Sequence, residues 1–235
     1  MRLFITGDVH SDIDCRKLDT FAKQMRDNLT LDDYIVICGD FGIVWDGCEN
    51  DKFFADVFYK DFPCTIIWVD GNHENFDLLH KYPQEVWMGG KVHRISDRIL
   101  HLMRGEIFTV GGLKIFAFGG AKSTDRGYDT GHNAYWWPEE LPSDEEIENA
   151  FANLKRHGNS VDLIVTHDAP YSVLSCGFGM HRDYDARFNE FLETLVGKVS
   201  FRTWFFGHHH DDLKFSKFQM MYNDIREIYA GSLMK

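Results

Sequence analysis

Two patterns of apolar positions alternate along this chain. Short, mainly apolar runs are typical of strands that are covered on both faces of a sheet. Such runs predict strands at Arg2–Thr6, Tyr34–Cys38, Thr65–Val69, Leu163–Thr166, Thr203–Phe206, Leu213–Met221 and Ile225–Tyr229. Apolar residues at helical spacing predict helices over Asp12–Asp27, Asn50–Tyr59, Asn75–His80 and Tyr184–Leu195. The alternation predicts a layered α/β fold.

The middle of the chain has a different pattern. Short strand-like segments follow one another from about Lys91 to Gly119, and Gly111-Gly112 predicts a tight hairpin turn between two of them. Ala121–Pro142 has no clear periodicity and is rich in aromatic residues, so this long loop is expected to be functional. A helix then begins at Ser143, because Glu146 three residues later completes a capping box.

Length and composition are those of a soluble globular protein. The chain has 235 residues, of which 44% are hydrophobic and 26% charged, so we expect a single domain over residues 1–235. No apolar run approaches the roughly 18 residues of a membrane helix, and no secretory signal precedes the first strand. Five cysteines without metal-finger spacing favour a reducing cytoplasm, with Cys38 and Cys64 as small buried hydrophobes.

The formal net charge of −12 bears on the partner. Proteins that track along nucleic acid depend on Lys and Arg contacts with phosphates, so the acidic balance disfavours nucleic acid as a partner without excluding it. A small phosphorylated substrate is compatible with this charge, because metal ions can neutralise its phosphate locally.

Five of the apolar runs end in residues that can bind a metal ion. The carboxyl ends of strands gather ligand sites in layered α/β proteins, so these five ends could converge. The potential ligands in these segments are carboxylates, one amide and several imidazoles, with no thiolate. This set suits Mn, Fe or Zn, and it fits a two-metal centre better than a zinc finger. The segments are Gly7-Asp8-Val9-His10, Gly39-Asp40, Asp70-Gly71-Asn72-His73-Glu74, His167-Asp168 and Gly207-His208-His209-His210.

Each segment alone has an ordinary structural explanation. Gly-Asp after a strand is most often a turn, Gly-Asn-His is commonly a loop, and three histidines in a row can be a chance polar tract. In extended chain, however, Asp8 and His10 face the same way, as do His208 and His210. The joint occurrence, each time after a buried strand, favours a metal site over these explanations.

Together the segments resemble a known family. They resemble the five motifs of the calcineurin-like metallophosphoesterases, and the chain is most similar to the compact bacterial or phage branch of that family. The matching segments are GDVH (7–10), GD (39–40), GNHE (71–74), the His of THDAP (166–170) and GHHH (207–210). The resemblance implies a four-layer αββα sandwich of two mixed β-sheets flanked by helices, with a dinuclear metal site at the sheet ends. By motif position, one metal is held by Asp8, His10 and His210 and the other by Asn72, His167 and His208, while Asp40 bridges the two.

The resemblance implies a metal-dependent phosphoesterase that uses two divalent ions, Mn in the first place and Fe or Zn as alternatives. Two cations about 3.5–4 Å apart can clamp a phosphate and lower the pKa of a shared water, so that a metal-bridging hydroxide attacks phosphorus. His73 is expected to act as general acid toward the leaving oxygen, or to donate a hydrogen bond to the phosphoryl group. Asp168 or Glu74 is expected to orient an imidazole.

Specificity is expected to reside in the loops. Gly39-Asp40 is followed by no basic residue, unlike in the protein serine/threonine phosphatases of this family, which argues against that activity. A small phosphodiester is favoured over a phosphomonoester, because aromatic and histidine residues suit an organic leaving group. A second rim is expected at Cys176–Asp183, with His181 and Arg182 exposed. Lys122, Arg126 and His132 could contact phosphate, while Tyr135, Trp136 and Trp137 could stack on a base, cover the metals or pack the loop onto the core.

Two other functions share these sequence features. A nuclease of the DNA-repair type has the same motifs, although the acidic charge and the lack of an appended domain count against it. A catalytically silent scaffold could retain the metals for binding a partner protein. His73 and seven intact ligand positions disfavour this second alternative.

Overall fold

Two mixed β-sheets lie face to face in the computed structural model, which describes residues 1–11, 13–45, 47, 59–123, 136–181 and 183–229. In the described part of the chain the first sheet has seven strands in the order β13-β1-β2-β3-β6-β5-β4, and the second has six in the order β11-β12-β10-β9-β8-β7. The first sheet contains β1 Leu3–Thr6, β2 Tyr34–Cys38, β3 Thr65–Val69, β4 Gln84–Trp87, β5 Gly90–Ser96, β6 Ile99–Leu102 and β13 Arg226–Ile228. The second contains β7 Glu106–Val110, β8 Leu113–Phe118, β9 Leu163–Thr166, β10 Thr203–Phe206, β11 Lys214–Phe215 and β12 Phe218–Met220.

Helices cover the outer faces of the sheets. Side chains of the preceding residue cap three of them: Asn75, Ser143 and Asp185 each accept a backbone N–H from the first turn. None of the described helices is long and apolar enough to cross a bilayer. The helices are α1 Arg16–Met25, α2 Phe76–Leu79, α3 Asp144–Arg156 and α4 Ala186–Lys198, with a 3₁₀ turn at Pro138–Glu140 and a π-helical turn at Val173–Gly177.

Three apolar layers separate the four layers of structure. Because successive strand residues point to opposite faces, Ile5 and Val36 face the space between the sheets, whereas Phe4 and Ile35 face α1. The outer face of the second sheet packs on α3 and α4 in the same way. Strands that are buried on both faces must be apolar throughout, which explains the continuous runs. The predicted αββα sandwich is confirmed.

The strands that carry the predicted ligands run parallel. β1, β2 and β3 are parallel neighbours in the first sheet, and β9 and β10 are parallel neighbours in the second. Their carboxyl ends therefore lie at one edge of each sheet. The two edges meet, because a Cβ at Gly207 would overlap the Asp8 carboxylate of the other sheet.

Most predicted elements are confirmed, and the differences have local reasons. α1 begins at Arg16 rather than Asp12, because His10 and Ser11 adopt left-handed backbone before it. Asp185 caps α4, so that helix begins at Ala186 and not at Tyr184. The strand expected at Leu213–Met221 is a hairpin of two short strands, β11 and β12.

One predicted helix, one edge strand and two cysteines remain to be compared with the structure. The helix expected over Asn50–Tyr59 lies outside the described residues except for Tyr59. Strand β4 was not predicted, because only alternate residues of this edge strand are partly buried. Cys38 and Cys64 are fully buried, as expected.

Candidate metal centre

The loops that follow the ligand-bearing strands have strained backbones. Nine described non-glycine residues have positive φ, and five of them are predicted ligands. Such residues are uncommon, and they persist where the surrounding structure holds them, often at functional sites. The five ligands are Asp8, His10, Asp40, His208 and His210, with φ between 46° and 66°.

Hydrogen bonds fix these loops to one another. The backbone N–H of His10 donates to the carbonyl of Asp40 at 2.8 Å, which joins the loops after β1 and β2. The backbone N–H of His208 donates to both carboxylate oxygens of Asp8 at 2.9 and 3.0 Å, which joins the two sheets. The positions of the side chains are therefore set by main-chain contacts as well as by packing.

Three groups of ligand-type side chains result. Within each group, one ligand atom from each residue lies within 4.8 Å of the others. Asp40 belongs to two of the groups: its Oδ2 lies 3.3 Å from Nε2 of His10 and 3.2 Å from Nε2 of His167. The groups are Asp8, His10 and His210; Asp40, His167 and His208; and His10, Asp40 and His73.

The donor set fits divalent cations. Nδ1 of His167 lies 2.8 Å from the carbonyl oxygen of Cys38 and must carry the proton of a neutral ring, so its Nε2 presents a lone pair. That Nε2 faces Asp40 Oδ2 at 3.2 Å and Asn72 Oδ1 at 3.2 Å, both of which are acceptors. In this neutral form of His167, three lone pairs converge without a proton between them, which is an arrangement that a cation satisfies.

The electrostatics of the buried groups agree with this arrangement. Burial raises the pKa of Asp8 to about 7, and the charge of Asp40 contributes to the rise, while His167 and His10 oppose it. Burial alone would lower the pKa of His167, but the charges of Asp40 and Asp8 raise it to about 10. The negative potential that favours a proton on His167 also favours a metal ion. Burial lowers the pKa of His208 to about 3, which keeps its ring in the neutral form that binds metals.

His73 lies beside these groups. Its backbone N–H donates to Oδ1 of Asp40 at 2.8 Å, and its ring centroid lies 5.6 Å from that of His10. A Cβ at Gly71 would overlap Oδ1 of Asp40, so glycine is required for this approach of the two loops. The imidazole of His73 is only partly buried, so it can reach a molecule bound at the centre.

Comparison with known proteins agrees with this geometry. The family model for the calcineurin-like phosphoesterases matches residues 1–212 of the chain. The chain belongs to the calcineurin-like phosphoesterase family. The matched range contains every motif from Gly7 to His210, so the resemblance drawn from the sequence is confirmed. This phosphoesterase family is metal-dependent, and its members are hydrolases.

Individual relatives of this calcineurin-like phosphoesterase are distant. It is 23% identical over 241 residues to the lariat debranching enzyme of Drosophila pseudoobscura pseudoobscura, covering 89% of this chain and 42% of the relative. It is 26% identical over 195 residues to the lariat debranching enzyme of Danio rerio, and this match covers 75% of this chain and 32% of the relative. The chain thus spans less than half the length of these curated relatives. A solved Staphylococcus aureus protein provisionally described as a 5′-nucleotidase, in complex with alpha-ketoglutarate, aligns with a TM-score of 0.43 and 16% identity, covering 94% of this chain and 48% of that one.

Several supporting residues of the phosphoesterase site were not predicted. Oδ2 of Asp14 lies 2.8 Å from Nδ1 of His10, and the ammonium of Lys17 donates to the carbonyls of Gly7, Asp8 and Tyr222. The spacing of four residues between His10 and Asp14 is a signal that could have identified Asp14. The contact of Lys17 with Tyr222, 205 residues away, has no local signal in the sequence.

Of the two carboxylates expected to orient an imidazole, Asp168 contacts one, and Glu74 instead contacts a backbone N–H. Asp168 Oδ1 lies 3.0 Å from Nε2 of His209, the histidine between two predicted ligands. His209 is buried there and belongs to none of the three ligand groups. Glu74 accepts the backbone N–H of Phe41 at 3.0 Å, and burial raises the pKa of its carboxyl well above the usual range.

The predicted substrate-binding residues are only partly described. The ammonium of Lys122 pairs with Asp183, so the loop after β8 meets the predicted second rim. His181 on that rim is exposed, as expected. Trp136 and Trp137 are both partly buried. The predictions for Arg126, His132, Tyr135 and Arg182 lie outside the described residues.

Proposed function

We propose that this chain is a dinuclear-metal-dependent phosphoester hydrolase that acts on a small phosphodiester or phosphomonoester. The observation that carries the proposal is the meeting of two groups of three ligand-type side chains at Asp40, which contacts an imidazole of each. A bridging carboxylate between two histidine-containing sets is suited to two cations held a few ångströms apart.

Each predicted ligand has a role in this proposal. The donors are carboxylate, amide and imidazole, which suit Mn, with Fe or Zn as alternatives. When bound, the cations supply Lewis acidity, which activates water near neutral pH and neutralises charge on the phosphoryl oxygens. Asp8, His10 and His210 would hold one cation, Asn72, His167 and His208 the other, and Asp40 both.

His73 is proposed to handle the proton of the leaving group. Its ring is partly exposed, and its backbone is fixed to Asp40. A ring N–H of His73 donates its proton to the leaving oxygen, or a hydrogen bond to the phosphoryl group, as the phosphorus–oxygen bond breaks. We expect this role to matter most for alkyl leaving groups, whose alkoxides are poor leaving groups without a proton.

A phosphodiester is proposed as the preferred ester, because the indole of Trp45 adjoins His73 and suits an organic leaving group. The curated relatives are named for lariat debranching, so a lariat and single-stranded DNA belong in the substrate panel. The net charge of −12 argues against a nucleic acid as the main substrate. The reducing, cytoplasmic environment inferred from the cysteines stays a prediction.

The test is hydrolysis of p-nitrophenyl phosphate and bis(p-nitrophenyl) phosphate with Mn²⁺, Fe²⁺ or Zn²⁺. We expect hydrolysis that depends on the added cation and stops with a chelator. His73→Asn should retain the cations and lose most turnover on alkyl esters, by about 10²- to 10⁴-fold. Full activity of His73→Asn on alkyl esters would contradict its role. Absence of hydrolysis across the panel would contradict the proposed phosphoesterase activity and support a metal-binding scaffold.

A further inference from the structure

Two tryptophans adjoin His73 in a series of ring contacts. The centroids of Trp137 and Trp45 are 5.9 Å apart with an interplanar angle of 73°, and those of Trp45 and His73 are 6.5 Å apart. His73 in turn contacts the ring of His10 at 5.6 Å. The contacts thus run from the indoles through His73 to the predicted metal ligands. We call Trp45 and Trp137 the indole pair.

The backbone of Trp45 and the indole of Trp137 are both fixed relative to the loop of His73. The side-chain amide of Asn75, two residues after His73, donates to the carbonyl of Trp45 at 2.6 Å, and its backbone N–H donates to the carbonyl of Val44 at 3.1 Å. The indole N–H of Trp137 donates to Oδ2 of Asp77 on α2 at 3.2 Å. A recognition surface held by such bonds loses little entropy when it binds a ligand.

The position of the indole pair determines which part of a substrate it can contact. The phosphoryl group lies at the metal ligands, and His73 protonates the leaving oxygen. The organic group attached to that oxygen therefore extends past His73, toward Trp45 and Trp137. Both indoles are partly exposed, so ring surface is available to that group.

The chemistry of the pair selects a planar and uncharged group. Indole faces stack on nucleobases with useful affinity and without strict sequence preference. The indole N–H of Trp137 contacts the exposed carboxylate of Asp77, and the whole chain carries −12, so an additional anionic group there is disfavoured. A nucleoside meets these requirements, whereas a short polyol has no ring to stack.

We propose that Trp45 and Trp137 bind the base of a nucleoside that leaves as the alcohol, so that the substrate is a nucleoside phosphoester. This inference rests on the proposed function. In the reaction, the phosphorus–oxygen bond to the nucleoside breaks and a bond from phosphorus to the oxygen of water forms. The nucleoside oxygen takes a proton from His73, and a proton from water restores His73.

The test compares two leaving alcohols in esters of one type. Adenosine 5′-monophosphate and glycerol 1-phosphate form the monoester pair, and adenylyl-adenosine and diglycerol phosphate the diester pair. The wild type should have a higher kcat/KM for the nucleoside ester of each pair that it hydrolyses. The double variant Trp45→Leu/Trp137→Leu should lose roughly ten- to hundred-fold in kcat/KM on the nucleoside ester. It should change the glycerol ester less than about three-fold, since that alcohol makes no stacking contact.

Matched variants separate recognition from folding. Trp45→Phe and Trp137→Phe keep an aromatic face and should retain much of the preference. Trp87→Leu removes an indole that packs on Tyr34, the first residue of β2, at the opposite end of that strand from Asp40. It should leave the ratio of the two kcat/KM values unchanged. Equal kcat/KM of the wild type for both esters, or an equal loss on both in the double variant, would overturn the inference.

A binding measurement distinguishes failure of this inference from failure of the proposed function. Adenosine carries no phosphate, and its contact with the metal-free protein can be followed by saturation-transfer NMR. We expect contact to the base protons in the wild type and its loss in the double variant. Loss of contact would support the indole pair even if no ester is hydrolysed. No contact in the wild type would overturn the inference, whatever the hydrolysis results show.

Discussion

Nδ1 of His10 lies 2.8 Å from Oδ2 of Asp14, and this contact leaves Nε2 of His10 facing Asp40. The Tyr222 hydroxyl donates to the other oxygen of Asp14 at 3.1 Å, which fixes the carboxylate. A carboxylate behind a metal-binding imidazole sets its tautomer and orientation, and its loss weakens metal affinity about 10- to 100-fold. We therefore expect Asp14→Ala to reduce Mn²⁺ affinity by that factor in isothermal titration calorimetry. Asp19→Ala removes only an exposed pair with Lys23 and should leave the affinity unchanged, whereas equal affinities of all three proteins would contradict the role of Asp14.

Gly71 permits the close approach of Asp40 and His73. Because a Cβ there would overlap the Asp40 carboxylate, Gly71→Ala must displace a group that contacts both sets of ligands. A displacement of about 1 Å can cost roughly 10²-fold in rate, and we expect at least that loss in kcat/KM. Gly197→Ala is the control, because nothing lies within 4 Å of a Cβ at that position in α4. It should keep full activity; retention of activity by Gly71→Ala would show that Asp40 is not held as described.

The buried pair of Asp70 and Arg104 supports the loop that carries Asn72 and His73. Nε of Arg104 donates to Oδ2 of Asp70 at 2.9 Å, and both side chains are almost fully buried. Arg104→Met removes the guanidinium and leaves the buried carboxylate of Asp70 with the imidazole of His101 at 3.1 Å, which should lower the free energy of unfolding by about 3 kcal/mol in urea denaturation.

Two variants check this assignment. Asp70→Asn in the Arg104→Met background should recover part of the loss, because it removes the uncompensated charge. Arg94→Met breaks a partly exposed pair with Glu85, and it should cost at most about 1 kcal/mol. If Arg94→Met and Arg104→Met lower the free energy of unfolding equally, the greater contribution assigned to the buried pair is contradicted.

Asp168 should make stability depend on pH in the acid range. Burial raises the pKa of its carboxyl, but the hydrogen bond from His209 and the charges of His208 and His209 outweigh burial and lower the pKa to about 2. The folded pKa lies below the unfolded value of 3.8, so the stabilisation is present above pH 4 and is lost as the pH falls toward 2. In chelator, Asp168→Asn should be less stable than the wild type by about 2 kcal/mol at pH 6. The difference in stability between the two proteins should narrow below pH 4. A difference in stability that widens as the pH falls would contradict a lowered pKa of Asp168.

The sequence predicts the strands at the centre of both sheets well. Thr65–Val69 and Leu163–Thr166 are buried on both faces, so each appears as an uninterrupted apolar run with the bounds that the structure has. β3 is parallel to β2 in the first sheet and β9 is parallel to β10 in the second. Where the edges of the two sheets meet, the side-chain amide of Asn72 and the imidazole of His167 lie 3.2 Å apart. Convergence of the ligand-type residues within each sheet therefore follows from the strand pattern, whereas the meeting of the two sheets is a tertiary contact, such as the bond from His208 N–H to Asp8.

Contacts between distant loops could not be predicted in this way. Trp45 has no periodicity or motif to distinguish it, and its place beside His73 depends on hydrogen bonds from Asn75, about thirty residues away. Arg104 is likewise an isolated charge after a strand, and only the tertiary structure shows that it is buried against Asp70. Strand β4 has an exposed side and therefore lacks the apolar run of a central strand.

In the proposed function, hydrolysis requires two cations around Asp40. The most direct measurement titrates the metal-free protein with Mn²⁺, and records bound cations per chain together with hydrolysis of bis(p-nitrophenyl) phosphate. Activity should rise to its maximum only as the second equivalent binds, and Asp40→Asn should lose both the second equivalent and the activity. Full activity with one bound cation per chain, or with none, would contradict a dinuclear centre.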